Sequence, residues 1–413
     1  MHPLLFHIPF PSVPVHLAPA FCALAVMALA TAALGRRAGE RDLMVLGAAA
    51  FFGALLAAIR FRGQTVALGP LPVYSFGALL STSIGLGLVT AVRLGERDGL
   101  RRDVIAGTCV VAATFGVIGA RVLYVVTNLS DFDGVGDALS IRSGGLTFYG
   151  GVLGGFGASL IYLKRRRGAW RAVGDALAPS LALGAMIGRF GCYFAGCDYG
   201  VPLSPSAPKW LARLGTFPRW PDDIAGTAAG SPAWLDHVLH RGLSPESTAS
   251  LPVHPTELYE VIAFAALFAA LSFLRSRRSF RGELLLAFLL VYGVIRLLLE
   301  TVRDDPERGL YGPHGSESVL VSFALFVLVL AFAWGPCRSI KNRRVRVGVE
   351  AIALSSVIVI HAVLARRPPS ITQLSTSQWI AVLSGLGASL SWKRLETGSY
   401  VESDGPQKPV LDA

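Results

Sequence analysis

Apolar runs of about 18 or more residues, long enough to cross a bilayer as helix, recur along almost the whole chain. They fall at roughly 16–34, 42–59, 72–92, 104–128, 146–163, 172–195, 256–274, 283–302, 317–335, 347–365 and 376–392. The last is the weakest, being short and rich in Ser and Gly. The pattern predicts an all-α polytopic membrane protein with about eleven transmembrane helices. Between the runs the basic residues alternate. Arg36, Arg37 and Arg41, then Arg93 to Arg102, Lys164 to Arg167, Arg275 to Arg281, Arg338 to Arg346, and Lys393 with Arg394 share one side of the predicted membrane. The positive-inside rule makes that side cytoplasmic, with the N-terminus outside and the C-terminus inside.

Composition agrees with this picture: 53% of the 413 residues are hydrophobic and 16% are charged. The net charge of +11 is topological, and no nucleic-acid partner is expected. The five cysteines have no zinc spacing, so neither a metal nor a cofactor is expected. Cys192 and Cys197 would point in different directions on a continuous helix. A disulfide between them would require the helix to end there, and none is expected. The first apolar run lacks a basic leader, so residues 1–20 do not read as a cleaved signal peptide. The loop at roughly 196–254, proline-rich and carrying Trp210, Trp220 and Trp234, is too long and aromatic for a plain connector. A partly ordered lid or lateral cap is expected there. The polar tail from Glu396 is expected to be disordered.

Charges inside the apolar runs carry the functional reading, because an ionisable group at such depth is costly. Arg189 lies one to two turns inside the end of the sixth run, and Arg296 with Glu300 one turn later lies in the eighth. At 1.5 Å per residue each arginine is roughly 9–10 Å below the outer boundary. Arg121, Tyr149, His254, Glu257, Tyr259, Glu260 and Tyr292 fall near the same level, so five spans send polar groups to one cavity. Arg296 and Glu300 could instead be an ion pair that only fixes packing. Arg189 has no carboxylate one turn away in its own helix. An unpaired guanidinium there wants an anion, and its planar fork matches a phosphate such as a lipid headgroup. The segment Ser143 to Gly151, with Gly144, Gly145, Gly150 and Gly151, has two readings: close helix packing, or backbone approach to an anionic headgroup. Asp175 reads as a helix N-terminal acid.

In order along the chain, several stretches resemble the prolipoprotein diacylglyceryl transferase family. They are Gly69-Pro70 before Tyr74 to Gly77, Gly144 to Gly151, Asp175 to Pro179, Gly188 to Gly200, His254 to Glu260, Tyr292 to Arg303, and Leu374 to Gln378. The resemblance covers roughly 68–312 and 372–392. It implies a six-span core with a last span added, seven in all. Two extra N-terminal helices (1–67), an inserted pair (313–371) and a cytoplasmic tail (393–413) complete the chain. Each insertion is an even number of spans, which preserves the sidedness of the core.

The resemblance further implies an enzyme of the bacterial inner (plasma) membrane. It would transfer diacylglyceryl from phosphatidylglycerol to the lipobox cysteine of a secreted prelipoprotein, with glycerol phosphate leaving. Arg189 and Arg296 match the family's two essential arginines and are assigned to the phosphate, with Glu300 orienting Arg296 and Tyr149 completing the catalytic set. Gly200, His254, Glu260, Tyr292 and Arg303 match surrounding positions and are assigned with the glycines to substrate binding. The chain departs from the family at Tyr149 (histidine elsewhere), Cys192 (asparagine) and Phe76 (tyrosine). A tyrosine, ordinarily ionising near pH ~10, is a base only if arginines lower it. Other readings are a catalytically inactive phospholipid-binding relative with a partner-docking role and, less well supported, an anion transporter.

Overall fold

The computed structural model describes residues 4–8, 13–37, 41–60, 62, 65–68, 71–132, 134, 145, 147–166, 168–220, 230–304, 309–368 and 371–403. The chain divides into two compact units, residues 2–75 and 76–413. In the first, helices α1 (Leu17–Arg37) and α2 (Arg41–Arg60) are accompanied by two antiparallel ladders. Strand β1 (Leu4–Ile8) pairs with β4 (Leu71–Tyr74), and β2 (Val13–His16) with β3 (Thr65–Leu68). The all-α expectation did not contain them. Short stretches such as Thr-Val-Ala-Leu and Leu-Pro-Val-Tyr are too brief for helices and rich in β-formers.

The second unit holds α3 (Ser75–Arg97, its first residue belonging to the other unit), α4 (Arg102–Thr127), α5 (Phe148–Arg165) and α6 (Trp170–Ala195). Two short helices follow, α7 (Lys209–Leu214) and α8 (Pro232–His240). Then come α9 (Thr256–Arg275), α10 (Glu283–Leu299), α11 (Glu317–Trp334), α12 (Arg343–Leu364) and α13 (Thr376–Ser403). Each of the eleven expected segments is helical. Seven are long and apolar enough to cross a membrane: α3, α4, α6, α9, α10 with its 3-10 extension, α11 and α12. Among the described residues α1, α2, the glycine-rich α5 and the polar α13 are not in that set, so the count of eleven spans goes beyond what length and composition support. Helix α13 also runs past Glu396 to Ser403, where a disordered tail was expected, and 404–413 lie outside the described residues.

Packing builds from apolar faces. Ala178 and Ala182 of α6, Phe264, Leu267 and Leu271 of α9, and Leu284 and Phe288 of α10 form one core. Leu297, Val321, Leu328, Leu364 and Val382 join α10 to α11, α12 and α13 in another. Strands β5 (Leu310–Ser316) and β6 (Ile371–Ser375) pair antiparallel, so the chain enters α11 and leaves α12 at one place. At one end of the unit Asp98 bridges Arg275 and Arg278, bringing two of the basic loops together. Asp175 also lies there, fully buried. It caps a helix N-terminus as expected, but that of α10 rather than its own, accepting hydrogen bonds from the backbone N–H groups of Gly282 (2.7 Å) and Leu284 (2.9 Å).

The opposite end carries a folded cap in place of a plain loop. Residue pairs 202–253 and 218–249 form bridges, and Tyr193, Tyr199, Phe217, Ala233 and Val253 make a small core. Burying a phenylalanine as fully as Phe217 is worth about 1.5–3 kcal/mol. Ser231 caps α8 with Pro232 at its first position. Trp234 donates from Nε1 to the Ser247 carbonyl (2.8 Å). Residues 221–229 of this segment lie outside the described residues.

Candidate active site

Three arginines and three carboxylates alternate around a closed ring at the cap end of the helices. Arg189 on α6 donates from Nη1 to Asp198 Oδ2 (2.6 Å) and forms an ion pair through Nε with Glu260 on α9. Glu260 Oε1 in turn receives Arg296 Nη1 (2.8 Å) from α10. Arg296 Nη2 reaches Glu300 Oε2 (2.9 Å), which faces Arg303 Nη1 at 3.9 Å. Arg303 closes the ring by donating to Asp198 Oδ1. Three guanidiniums thus face three carboxylates, and burying such groups is tolerated only when they are paired.

Arg189 is therefore not the unpaired guanidinium expected from its helix. Its partners come from elsewhere: Glu260 from α9, and Asp198 from a turn that folds back after α6 ends. The end itself is a Schellman motif. Gly196 adopts the left-handed conformation (φ 65°), its N–H bonds to the Tyr193 carbonyl, and the Cys197 N–H bonds to the Cys192 carbonyl (3.3 Å). Asp198 is also left-handed (φ 65°), rare for a residue with a side chain. Burial pushes its carboxyl up, but Arg189, Arg303 and Arg296 outweigh that and hold it below the usual carboxylate range.

The ring is not uniformly covered. The side chain of Arg189 is 24% exposed, against 10% for Arg296 and 6% for Arg303. Asp198 is 25% exposed, against 3% for Glu260 and 1% for Glu300. One edge of the ring, Arg189 with Asp198, thus faces outward.

Tyr149 joins this network through Ser377. Its Oη lies 2.7 Å from Ser377 Oγ, which also accepts from Arg296 Nη2 (2.9 Å). Tyr149, Arg189, Glu260, Arg296, Glu300 and Arg303 are thus gathered by α5, α6, α9, α10 and the turn after α10, with α13 adding Ser377. Gly200 holds the convergence together. A Cβ there would meet the Val302 and His254 carbonyl oxygens at 2.5 and 2.7 Å, so only glycine lets these strands touch.

Comparison with known proteins identifies the family of the chain. The model of the prolipoprotein diacylglyceryl transferase family matches residues 64–335. The chain belongs to that family. A phosphatidylglycerol–prolipoprotein diacylglyceryl transferase of Bacillus mycoides (strain KBAB4) is 31% identical over 242 residues, 58% of this chain and 80% of the relative. Enzymes of the same name from Bacillus anthracis (strain CDC 684 / NRRL 3495) and Bacillus cereus (strain Q1) are each 30% identical over 269 residues, 65% of this chain and 89% of the relative. This diacylglyceryl transferase family member is a mostly helical protein with several membrane-crossing helices.

In this family member the glycines and the outer polar residues divide by role. Gly150 and Gly151 of α5 pack on α4: a Cβ on Gly150 would meet the Gly119 carbonyl oxygen at 2.3 Å, and one on Gly151 the Gly116 carbonyl oxygen at 3.3 Å. Of the two readings for the glycines, the geometry favours helix packing over headgroup approach. Gly145 (φ 81°) sits over Tyr124 and accepts from Arg121 Nη1 (2.9 Å), while Gly144 lies outside the described residues. His254 Nδ1 is 3.1 Å from Tyr259 Oη rather than on the ring, and burial, then the charge of Arg367, pushes it below its ordinary value. Tyr292 is stacked between Phe264 and Phe288 at 6.0 and 5.8 Å. Sequence reasoning did not single out Asp198 or Ser377. Both stood inside matched stretches, Asp198 in Gly188 to Gly200 and Ser377 in Leu374 to Gln378, but neither is a charge within an apolar run.

Proposed function

We propose that this chain transfers the diacylglyceryl group of phosphatidylglycerol to the lipobox cysteine thiol of a prelipoprotein, releasing glycerol phosphate. The observation that carries the reading is the outward edge of the ring. A headgroup phosphate approaching there meets Arg189, while Asp198, the most exposed carboxylate, swings toward Arg303 and yields its place. Arg296 stands behind, fixed by Glu260 and Glu300. The acceptor sulfur attacks the glyceryl carbon that bears the phosphate ester. A C–S bond forms as the C–O bond breaks, and the electron pair leaves on the phosphate oxygen. The ring arginines stabilise that developing charge. The departing phosphate, now a second-ionisation base, takes the thiol proton, so charge and protons balance. Tyr149, held by Ser377, offers its hydroxyl to the reacting group.

The rest of the reading follows the same frame. Segments 68–312 and 372–392 form the catalytic core, with 1–67 and 313–371 added to it, all eleven long helices crossing the bacterial plasma membrane. The N-terminus is outside, the C-terminus is cytoplasmic, and the cap faces the side from which secreted prelipoproteins arrive. The completeness of the ring favours one second reading, a relative that binds phospholipid without turning it over. Purified full-length protein with phosphatidylglycerol and a lipobox peptide separates the two. Matched glycerol phosphate release and peptide mass gain support the transferase, whereas lipid binding with no turnover supports the binding relative.

A further inference from the structure

Two cysteines sit where the end of α6 brings side chains together. In a Schellman motif the third residue from the helix end and the second residue beyond the cap are the pair that meet. Here those positions are Cys192 and Cys197, tied by the 3.3 Å backbone bond described above. Cys197 Sγ lies 3.7 Å from the Cys192 carbonyl oxygen. The two sulfurs and an Asp198 carboxylate oxygen all lie within 4.8 Å of one another. Both residues are partly exposed, and Cys22, Cys109 and Cys337 belong to no such group among the described residues. The helix ends between the two cysteines, which is the condition that a disulfide required and that a continuous helix denied.

A metal ion is the poorer occupant. Both oxygens of Asp198 are already engaged, by Arg189 and Arg303, and these guanidiniums oppose another cation beside the thiols. We propose that Cys192 and Cys197 are a dithiol site that reacts with a disulfide donor and closes into a disulfide across the end of α6. Rotation about the two side chains brings the sulfurs to the ~2.05 Å of a bond. One thiol loses its proton and attacks the S–S bond of the donor, displacing a thiolate. The second thiol attacks the mixed disulfide and displaces the other. One S–S bond forms as one breaks, two protons pass to the two released thiols, and the donor takes the two electrons. The closed ring staples the turn that presents Asp198, whose left-handed backbone is unfavourable by itself.

The test uses full-length protein in lipid or detergent with glutathione disulfide as donor. The hydrogen bond with Cys192, and then burial, push the Cys197 thiol up, so exchange is run near pH ~8.5 with long incubation. Alkylation, intact mass and peptide mapping are the readouts, with the unfolding temperature as the measure of the staple. The expected result is loss of two alkylatable thiols without added glutathione, a 192–197 linked peptide, and unfolding a few degrees higher than in reduced protein. Cys197→Ser should instead carry one glutathione on Cys192, with the temperature difference gone. The inference is overturned if both thiols stay alkylatable or each carries its own glutathione. It is equally overturned by a disulfide that leaves the unfolding temperature unchanged, or by reduced protein that holds one zinc ion through both cysteines.

Discussion

Tyr149 Oη lies 2.7 Å from Ser377 Oγ, joining the first turns of α5 and α13 across 228 residues of sequence. Because Ser377 also accepts from Arg296, it orients both groups at once. Ser377→Ala should lower transfer about tenfold, the ~1.4 kcal/mol expected when one net hydrogen bond is lost from the transition state. Ser377→Thr should restore much of it. In a double-mutant cycle with Tyr149→Phe the losses should be less than additive, since both changes cut one path. Additive losses would mean that Ser377 and Tyr149 act separately.

Asp198 competes with the headgroup phosphate for Arg189. Asp198→Asn should therefore bind glycerol phosphate several-fold more tightly than the unaltered protein, as read by calorimetry. The same change should cost about 1–2 kcal/mol of stability, below the ~3–5 kcal/mol of a fully buried broken pair because this carboxylate is partly exposed. Weaker glycerol phosphate binding would contradict the exchange.

The α4–α5 contact accounts for Gly150 in mechanical terms. Gly150→Ala drives a Cβ against the Gly119 backbone, and overpacking of this kind costs roughly 1–3 kcal/mol. Gly157, on the same helix with nothing within 4 Å, is the control. Gly157→Ala should be neutral or stabilising by about 0.5–1 kcal/mol through helix propensity. Thermal unfolding in detergent distinguishes the two.

Acid should loosen the cap before it reaches the ring. His237 is fully buried, accepts the Leu251 N–H (3.1 Å), and is pushed below its ordinary 6.5 by burial and then by Arg241. His254 is lowered too, by burial and then by Arg367. Folded values below the unfolded one mean that the native state binds fewer protons between them. The stability contributed by these histidines is full above about pH 6.5 and is lost as pH falls through the lower folded values. The unfolding midpoint should drop between about pH 7.5 and about pH 5.5, and His237→Gln should flatten that drop.

What the sequence disclosed and what it hid follow from range. Arg189 and Arg296 were legible because a charge in an apolar run is conspicuous, and the helices around them because their periods are long. The pairing of Arg189 was not legible, since it depends on Gly196 reversing the chain and on Glu260 arriving from another helix. That same reversal turned Cys192 and Cys197 from divergent positions into neighbours. Asp175 was recognisable as a capping acid, but which helix it caps was settled by packing 107 residues away. The short strands at 65–68 and 71–74 leave no periodic trace because four residues are too few to show alternation, and the strand at 310–316, with two glycines and a proline, reads as a turn.

Arg189 is the residue on which the phosphate assignment stands. The most direct measurement is the transfer rate of full-length Arg189→Ala with phosphatidylglycerol and a lipobox peptide, in protein whose helicity by circular dichroism matches the parent. Loss of a main electrostatic contact to the departing phosphate predicts a fall of at least ~100-fold, about 2.7 kcal/mol. A folded Arg189→Ala protein that transfers within about tenfold of the parent would contradict the account.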